Sequence, residues 1–290
     1  MKSASWVAAL MAAWAIWCGA APALGRPGTV TVGLTPVIVN SDIALVSDWQ
    51  AYLSRRLGQR VEMFQRGSYH EIMLMLINGE IEFAWICGYP YVMEEELLQL
   101  VVVPIYQGEP YYRSYLIVAS DSVFASLSDL RGGIHAFSDR DSNSGHIVPR
   151  YWLHTQGSTP ETYFLKHIFT NSHENVIKAV ASGLTDSGNV DGYVWDVIEK
   201  TDSHLRGRTK VIRRSEKYGF PPIVALKTFP EKQASAFGAV LRNMSRDEEG
   251  RKLLARFYLD GFDAFDKSLF DGIRDMAVAM NRRASGLARK

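Results

Sequence analysis

The sequence predicts an α/β protein of two lobes, hinged by two crossing strands and completed by C-terminal helices. Three observations carry this. β-Branched, strand-like runs alternate with helix-period segments over the first hundred residues, in the β-α-β-α-β order that builds a parallel sheet with helices on its faces. The same alternation restarts at "GGIHAF". Two apolar extended segments, "YLIVAS" (Tyr115–Ser120) and "PPIVAL" (Pro221–Leu226), read as the crossings, and no low-complexity tether separates the units. Lobe 1 is expected over residues 27–116 and 222–282, lobe 2 over 117–221, and a frayed basic tail over 283–290.

The elements follow in order. Lys2, the apolar run Ala4–Ile16 and the small residues of "APALG" read as a secretory signal peptide over 1–25, cleaved after Ala23 or Gly25. The run is shorter than the ~20 residues a membrane span needs. Trp17, standing where a lipoprotein signal needs a small residue, argues against lipidation of Cys18. A periplasmic location is therefore expected. "GTVTVGLTP" is a first strand. "DIALVSDWQAYLSRRLG" is a helix with Asp42 as cap and Gly58 as stop. "VEMFQ", the Ser68-capped helix "SYHEIMLMLINGE" and the strand "IEFAWIC" complete the first unit. "LVVVPIYQ" and "SYLIVAS" are buried strands. In the second unit, "GGIHAF" is a strand and "SGHIVPRYWLHTQG" a helix opened by the turn Ser142–Asn143–Ser144–Gly145. "ENVIKAVASG" is a helix, while "SGNVDGYVW" and "TKVIRR" are strands. Three helical segments close the chain.

Composition narrows the function. Without Lys2 the chain carries 31 basic and 31 acidic residues, so nothing suggests a nucleic-acid surface. Removing the signal leaves Cys87 as the single cysteine, which excludes an internal disulfide. No cofactor or metal motif is present, neither a phosphate-binding P-loop nor H-E-x-x-H. Ser144, His173 and Asp186 or Asp191 could be arranged as a hydrolytic triad, but "SNSG" lacks the strained G-x-S-x-G elbow. The same turn suits an anion better. The first N–H groups of a helix have no internal partner and carry partial positive charge, and Ser142 and Ser144 add hydroxyls.

The segments "VGLTP", "FAWICGYPYV", "SDRDSNSGHIVP", "SHENVIKAVASG", "VDGYVWD" and "SEKYGFPPIVA", in this order and spacing, make the chain resemble the periplasmic substrate-binding proteins of phosphonate, phosphite and phosphate ABC transporters. The resemblance implies the type II two-lobed fold. It also implies a small oxyanion ligand, delivery to an ABC permease, no cofactor, and a monomer. It places the ligand at Ser142, Asn143, Ser144, Gly145 and His173, with Tyr91 after the third strand, Tyr193 after "VDG", and Thr35, Pro36 and Val37 in the first loop. Trp195 joins Tyr193 as a candidate aromatic wall. Two departures cast doubt on an aminophosphonate ligand: Cys87 where many relatives have Gly, and Phe220–Pro221 where an amine-binding carboxylate would be expected. Cys87 is either a buried small hydrophobe or a soft ligand, as in the family's arsenite-sensing branch, which signals to a membrane histidine kinase.

Overall fold

A computed structural model describes residues 28–36 and 43–287. The expected signal peptide, Val37 and the expected cap Asp42 lie outside the described residues.

The first lobe is built from β1 (Thr29–Leu34), α1 (Ile43–Leu57), β2 (Arg60–Gln65), α2 (Tyr69–Ile77), β3 (Phe83–Trp85), α3 (Gly88–Met93) and β4 (Leu98–Ile105). α1 buries Leu45, Trp49, Tyr52 and Leu53, a helical stripe, and stops at Gly58, whose φ of 65° suits glycine. Trp49 meets Trp85 and Phe257 edge-on, with centroids 5.8 and 5.2 Å apart. Removing such a buried indole would cost about 3–5 kcal/mol. α2 opens with a capping box. The Ser68 hydroxyl accepts from the Glu71 N–H, and the Glu71 carboxylate accepts from the Ser68 N–H.

The chain crosses at β5 (Tyr111–Tyr112) into β6 (Ser114–Ala119), β7 (Ile134–Phe137), α4 (Val148–Thr155), α5 (Pro160–Tyr163), β8 (Lys166–Phe169), α6 (His173–Ala181), β9 (Ser187–Asp191), α7 (Gly192–Thr201) and β10 (Thr209–Arg214). It returns through β11 (Tyr218–Gly219) to β12 (Ile223–Leu226), α8 (Glu231–Asn243), α9 (Glu248–Phe257), β13 (Gly261–Asp263) and α10 (Asp271–Leu287). β5 and β11 pair antiparallel and form the hinge ribbon. The crossings thus fall just before "YLIVAS" and "PPIVAL", which become central strands. The expected boundary after residue 116 lies inside β6, and α10 continues into the stretch read as a tail.

The two sheets share one plan. The first runs β2-β1-β3-β12-β4-β13 and the second β8-β7-β9-β6-β10. In each, three strands are parallel, and the strand adjoining the hinge inserts antiparallel beside them. The expected parallel sheet is therefore the βαβ-connected half of each lobe. The other half is antiparallel because β6 and β12 enter from the opposite lobe.

One element differs in type. "SGNVDGYVW" was expected to be strand throughout, but only Ser187–Asp191 is strand and Tyr193–Trp195 belong to α7. The Asp191 side chain accepts from the Tyr193 N–H at 2.8 Å and starts the helix.

Candidate functional site

The site lies where the carboxyl ends of β3, β7 and β9 converge beside the hinge, as ligand sites in open α/β sheets do. After β7 the chain turns at Asp139–Ser142, and Ser142 caps a π-helical turn, Asn143–Ile147, that leads into α4. The Ser142 hydroxyl accepts from the Gly145 N–H at 3.0 Å. Pro149 has no N–H to give the Gly145 carbonyl four residues back. That carbonyl instead accepts from Ser138 N–H at 3.4 Å, pinning the turn to the strand end. Gly145 is required here. A Cβ would lie 1.9 Å from Ser138 Oγ and 3.1 Å from His173 Cε1.

Ser142, Asn143, Ser144 and His173 are fully buried. The Asn143 N–H donates to Cys87 Sγ (3.2 Å) on the facing lobe, and its amide donates to the Tyr112 hydroxyl (3.0 Å) on the hinge. Ser114 Oγ donates to the Ser144 carbonyl at 2.6 Å. Among the described residues the Ser144 hydroxyl and Asn143 Oδ1 have no hydrogen-bond partner. A buried hydroxyl without a partner costs stability, and it is the kind of group a bound oxyanion satisfies.

His173 opens α6 behind the cap Ser172. Its Nδ1 accepts from the Asp191 N–H at 3.0 Å, so the ring proton sits on Nε2, 3.2 Å from the Tyr69 hydroxyl. Burial pushes the imidazole down to about 3, so it is neutral. Donating Nε2–H to the Tyr69 oxygen leaves the phenolic proton free to point at a ligand. Every donor in this cluster is therefore neutral. Burial also pushes the Cys87 thiol up to about 11 and the Asp191 carboxyl up to about 8.

Tyr69 was not among the expected residues. It is the first residue of α2, directly after its cap, at the end of β2. The strand-end rule that selected the other segments applies there too. Asp139 was missed as well. Its Oδ1 accepts from Asp141 N–H (2.8 Å), and its Oδ2 accepts from the Tyr69 N–H across the cleft (3.2 Å).

Cys87, Ser142, Asn143, Ser144, Gly145 and His173 come together as one cluster. The other expected residues are engaged elsewhere. Thr35 is buried at the end of β1, its hydroxyl donating to the Trp85 carbonyl at 2.9 Å, with Pro36 buried beside it. Tyr91 packs its ring against Phe270, 4.7 Å between centroids. Tyr193 donates to the Phe257 carbonyl at 2.7 Å and meets Tyr106 and Phe220 edge-on, a strut between lobes. Trp195 donates to Thr209 Oγ1 at 2.9 Å, against Tyr115. The triad does not assemble. His173 Nδ1 meets a backbone N–H, and Asp186 accepts from Ile134 N–H (2.7 Å) at the far end of β7.

Two hinged α/β lobes closed on a buried, neutral donor cluster define a two-lobed solute-binding protein. The chain belongs to the family described as "ABC transporter, phosphonate, periplasmic substrate-binding protein", which matches residues 32–270. This is a family of binding components, not of enzymes. The Phosphate-import protein PhnD of Mycolicibacterium smegmatis is 27% identical over 207 residues. That alignment takes in 66% of this chain, and the chain spans 64% of that relative's length. Among solved structures, a binding-protein component of an ABC phosphonate transporter from Pseudomonas aeruginosa superposes with a TM-score of 0.81 at 21% identity, covering 88% of this chain and 87% of that one. A protein from Prochlorococcus marinus in complex with methylphosphonate gives 0.78 at 20% identity, covering 88% and 99%.

Proposed function

We propose that this protein captures a small tetrahedral phosphorus oxyanion, such as phosphate, phosphite or an alkylphosphonate, between its lobes in the periplasm and presents it to an ABC transporter. The observation that carries the reading is the buried Ser144 hydroxyl, without a hydrogen-bond partner among the described residues, in a π-helical turn whose next residue, Gly145, abuts His173 of the cross-lobe pair His173–Tyr69. The oxyanion would take the Ser144 hydroxyl and N–H together with the phenolic proton of Tyr69. Closure would shift an open–closed equilibrium by adding the lobe 1 donors to those of lobe 2. Selectivity would follow from whether each buried donor finds an oxygen.

The organic part of a phosphonate would be small and uncharged. Two buried carboxyls border the cluster, and both are occupied: Asp139 accepts from the Asp141 and Tyr69 N–H groups, while Asp191 caps α7 and its upward shift leaves it largely protonated at neutral pH, a poor partner for an ammonium. Cys87 serves this reading as an acceptor for the cradle's first N–H. Its upward shift disfavours the thiolate that a thiophilic metalloid prefers. Among the described residues no group of three or more His, Cys, Asp or Glu is placed to share a soft ion.

Calorimetric titration of the purified protein with phosphate, phosphite, methylphosphonate, 2-aminoethylphosphonate and sulfate tests the proposal. Binding of at least one of the first three, tighter than that of the last two, is expected. No heat with any of them would refute it.

A further inference from the structure

On the outer side of the cradle turn lies a cavity of about 580 Å³. The turn Asp139–Ser142 thus has two faces. Its inner face carries the cradle, and Arg140 lines the outer cavity. Arg150 of α4, Glu161 of α5 and Phe169 of β8 continue the wall from the second lobe. Met280 of α10 also lines it, the first lobe's contribution to the wall. α10 is anchored to the first lobe, since Ile273 fills the space over Gly88 and the preceding Phe270 packs on Tyr91. The cavity therefore has its full shape only while the lobes are closed.

Its chemistry is cationic. Arg140 lies over the Phe169 ring, 4.3 Å from the centroid, and its carbonyl accepts from the His146 ring at 2.6 Å. Neither Arg140 nor Arg150 forms an ion pair among the described residues. Two guanidinium groups face a wall containing one carboxylate, that of Glu161, with Phe169 and Met280 offering apolar surface between them. Guanidinium forks of this kind suit carboxylates in bidentate geometry. The volume suits a few side chains rather than an extended strand.

We infer that this cavity docks an acidic segment of the membrane transporter that receives the ligand, and that it does so only in the closed state. The inference rests on the transport reading above. A transporter must distinguish loaded from empty binding protein, and a cavity walled by both lobes offers that distinction in its shape.

The test pairs calorimetry with uptake. Cells whose sole copy of the protein carries Arg150→Glu are compared with wild type and Arg150→Lys for uptake of the ligand that calorimetry identifies, at subsaturating concentration. Cleft affinity is expected to be unchanged in both variants. Uptake should fall by about tenfold or more with Glu and remain near wild type with Lys, because like charge at a docking rim both slows encounter and opposes the bound state. Unchanged uptake with Arg150→Glu would overturn the inference. So would calorimetric binding of inorganic triphosphate to wild-type protein already saturated in its cleft, if Arg150→Glu abolished it, since the cavity would then be a small-anion site. Wild-type protein that binds no oxyanion at all would instead refute the cleft reading, and the calorimetric arm shows that separately.

Discussion

Asp139→Asn isolates one closure contact. The Asp139 carboxylate accepts two N–H groups, that of Asp141 within its own turn and that of Tyr69 at the start of α2 on the other lobe. An asparagine of the same shape has one oxygen, so whichever way the amide turns, one of those N–H groups faces an NH₂. The Asp141 bond is local and survives opening, whereas the Tyr69 bond exists only when the lobes meet. In the open state water satisfies the Tyr69 N–H. A hydrogen bond to an ionised acceptor contributes about 1.5–3 kcal/mol. Apparent affinity scales with the population of the competent closed state. Methylphosphonate affinity should therefore fall by about 10- to 150-fold, at roughly 1.4 kcal/mol per tenfold. Titration calorimetry measures the affinity, and small-angle scattering measures the compaction on ligand addition, which should need correspondingly more ligand. Wild-type affinity in Asp139→Asn would refute the reasoning and leave Asp139 as no more than a local turn brace.

Three further outcomes are expected. Gly145→Ala should lower the melting temperature by ~5 °C, since overpacking costs about 1–3 kcal/mol, and should also weaken binding because the new methyl presses on Ser138 and His173; an unshifted melting curve would contradict the turn's geometry. Cys87, buried and with its thiol pushed up to about 11, should react with a maleimide slowly and more slowly still with ligand present, a contrast that mass spectrometry reads directly. Stability should depend on pH with an interior maximum. Burial holds His135, His146 and His173 down at about 3, 4 and 3, so acid protonates the unfolded chain first and stability is lost as pH falls below about 6.5. Asp191, held up at about 8, acts oppositely, because the folded state keeps a proton that the unfolded carboxyl has released, and stability declines as pH rises toward that value. The melting temperature should peak at about pH 6–7; a flat curve from pH 4 to 6.5 would contradict the buried neutral histidines.

The elements that the sequence exposes are those set by local chemistry. The Ser68 capping box, the stripe of Leu45, Trp49 and Leu53 in α1 and the polar turn before α4 are each fixed by residues within a few positions of one another. The misreading of Tyr193–Trp195 as strand shows the limit. "GYVW" is short and apolar enough for either period, and Asp191's capping bond decides for helix. β8 and β13, at four and three residues, give almost no periodic signal. The mixed direction of each sheet was hidden because β6 and β12 pair with strands far along the chain. The turn proposed as the cradle was legible, since Ser142–Gly145 announces a helix start. Its completion was not. Tyr69 and His173 are 104 residues apart, and Asp139 reaches Tyr69 over 70, so only lobe closure brings them together. Conversely, Tyr193 and Trp195 have the right residue type in the right segment, yet each spends its donor on a structural partner.

The most direct test of the cradle is Ser144→Ala, measured for binding and for stability together. The hydroxyl is buried without a hydrogen-bond partner among the described residues, so deleting it removes an unsatisfied group and exposes nothing. The melting temperature of ligand-free protein should hold or rise. Affinity for methylphosphonate or phosphate should drop by about 10- to 150-fold, the loss of one hydrogen bond to a charged oxygen. Intact affinity in Ser144→Ala would contradict the assignment of this turn as the oxyanion site.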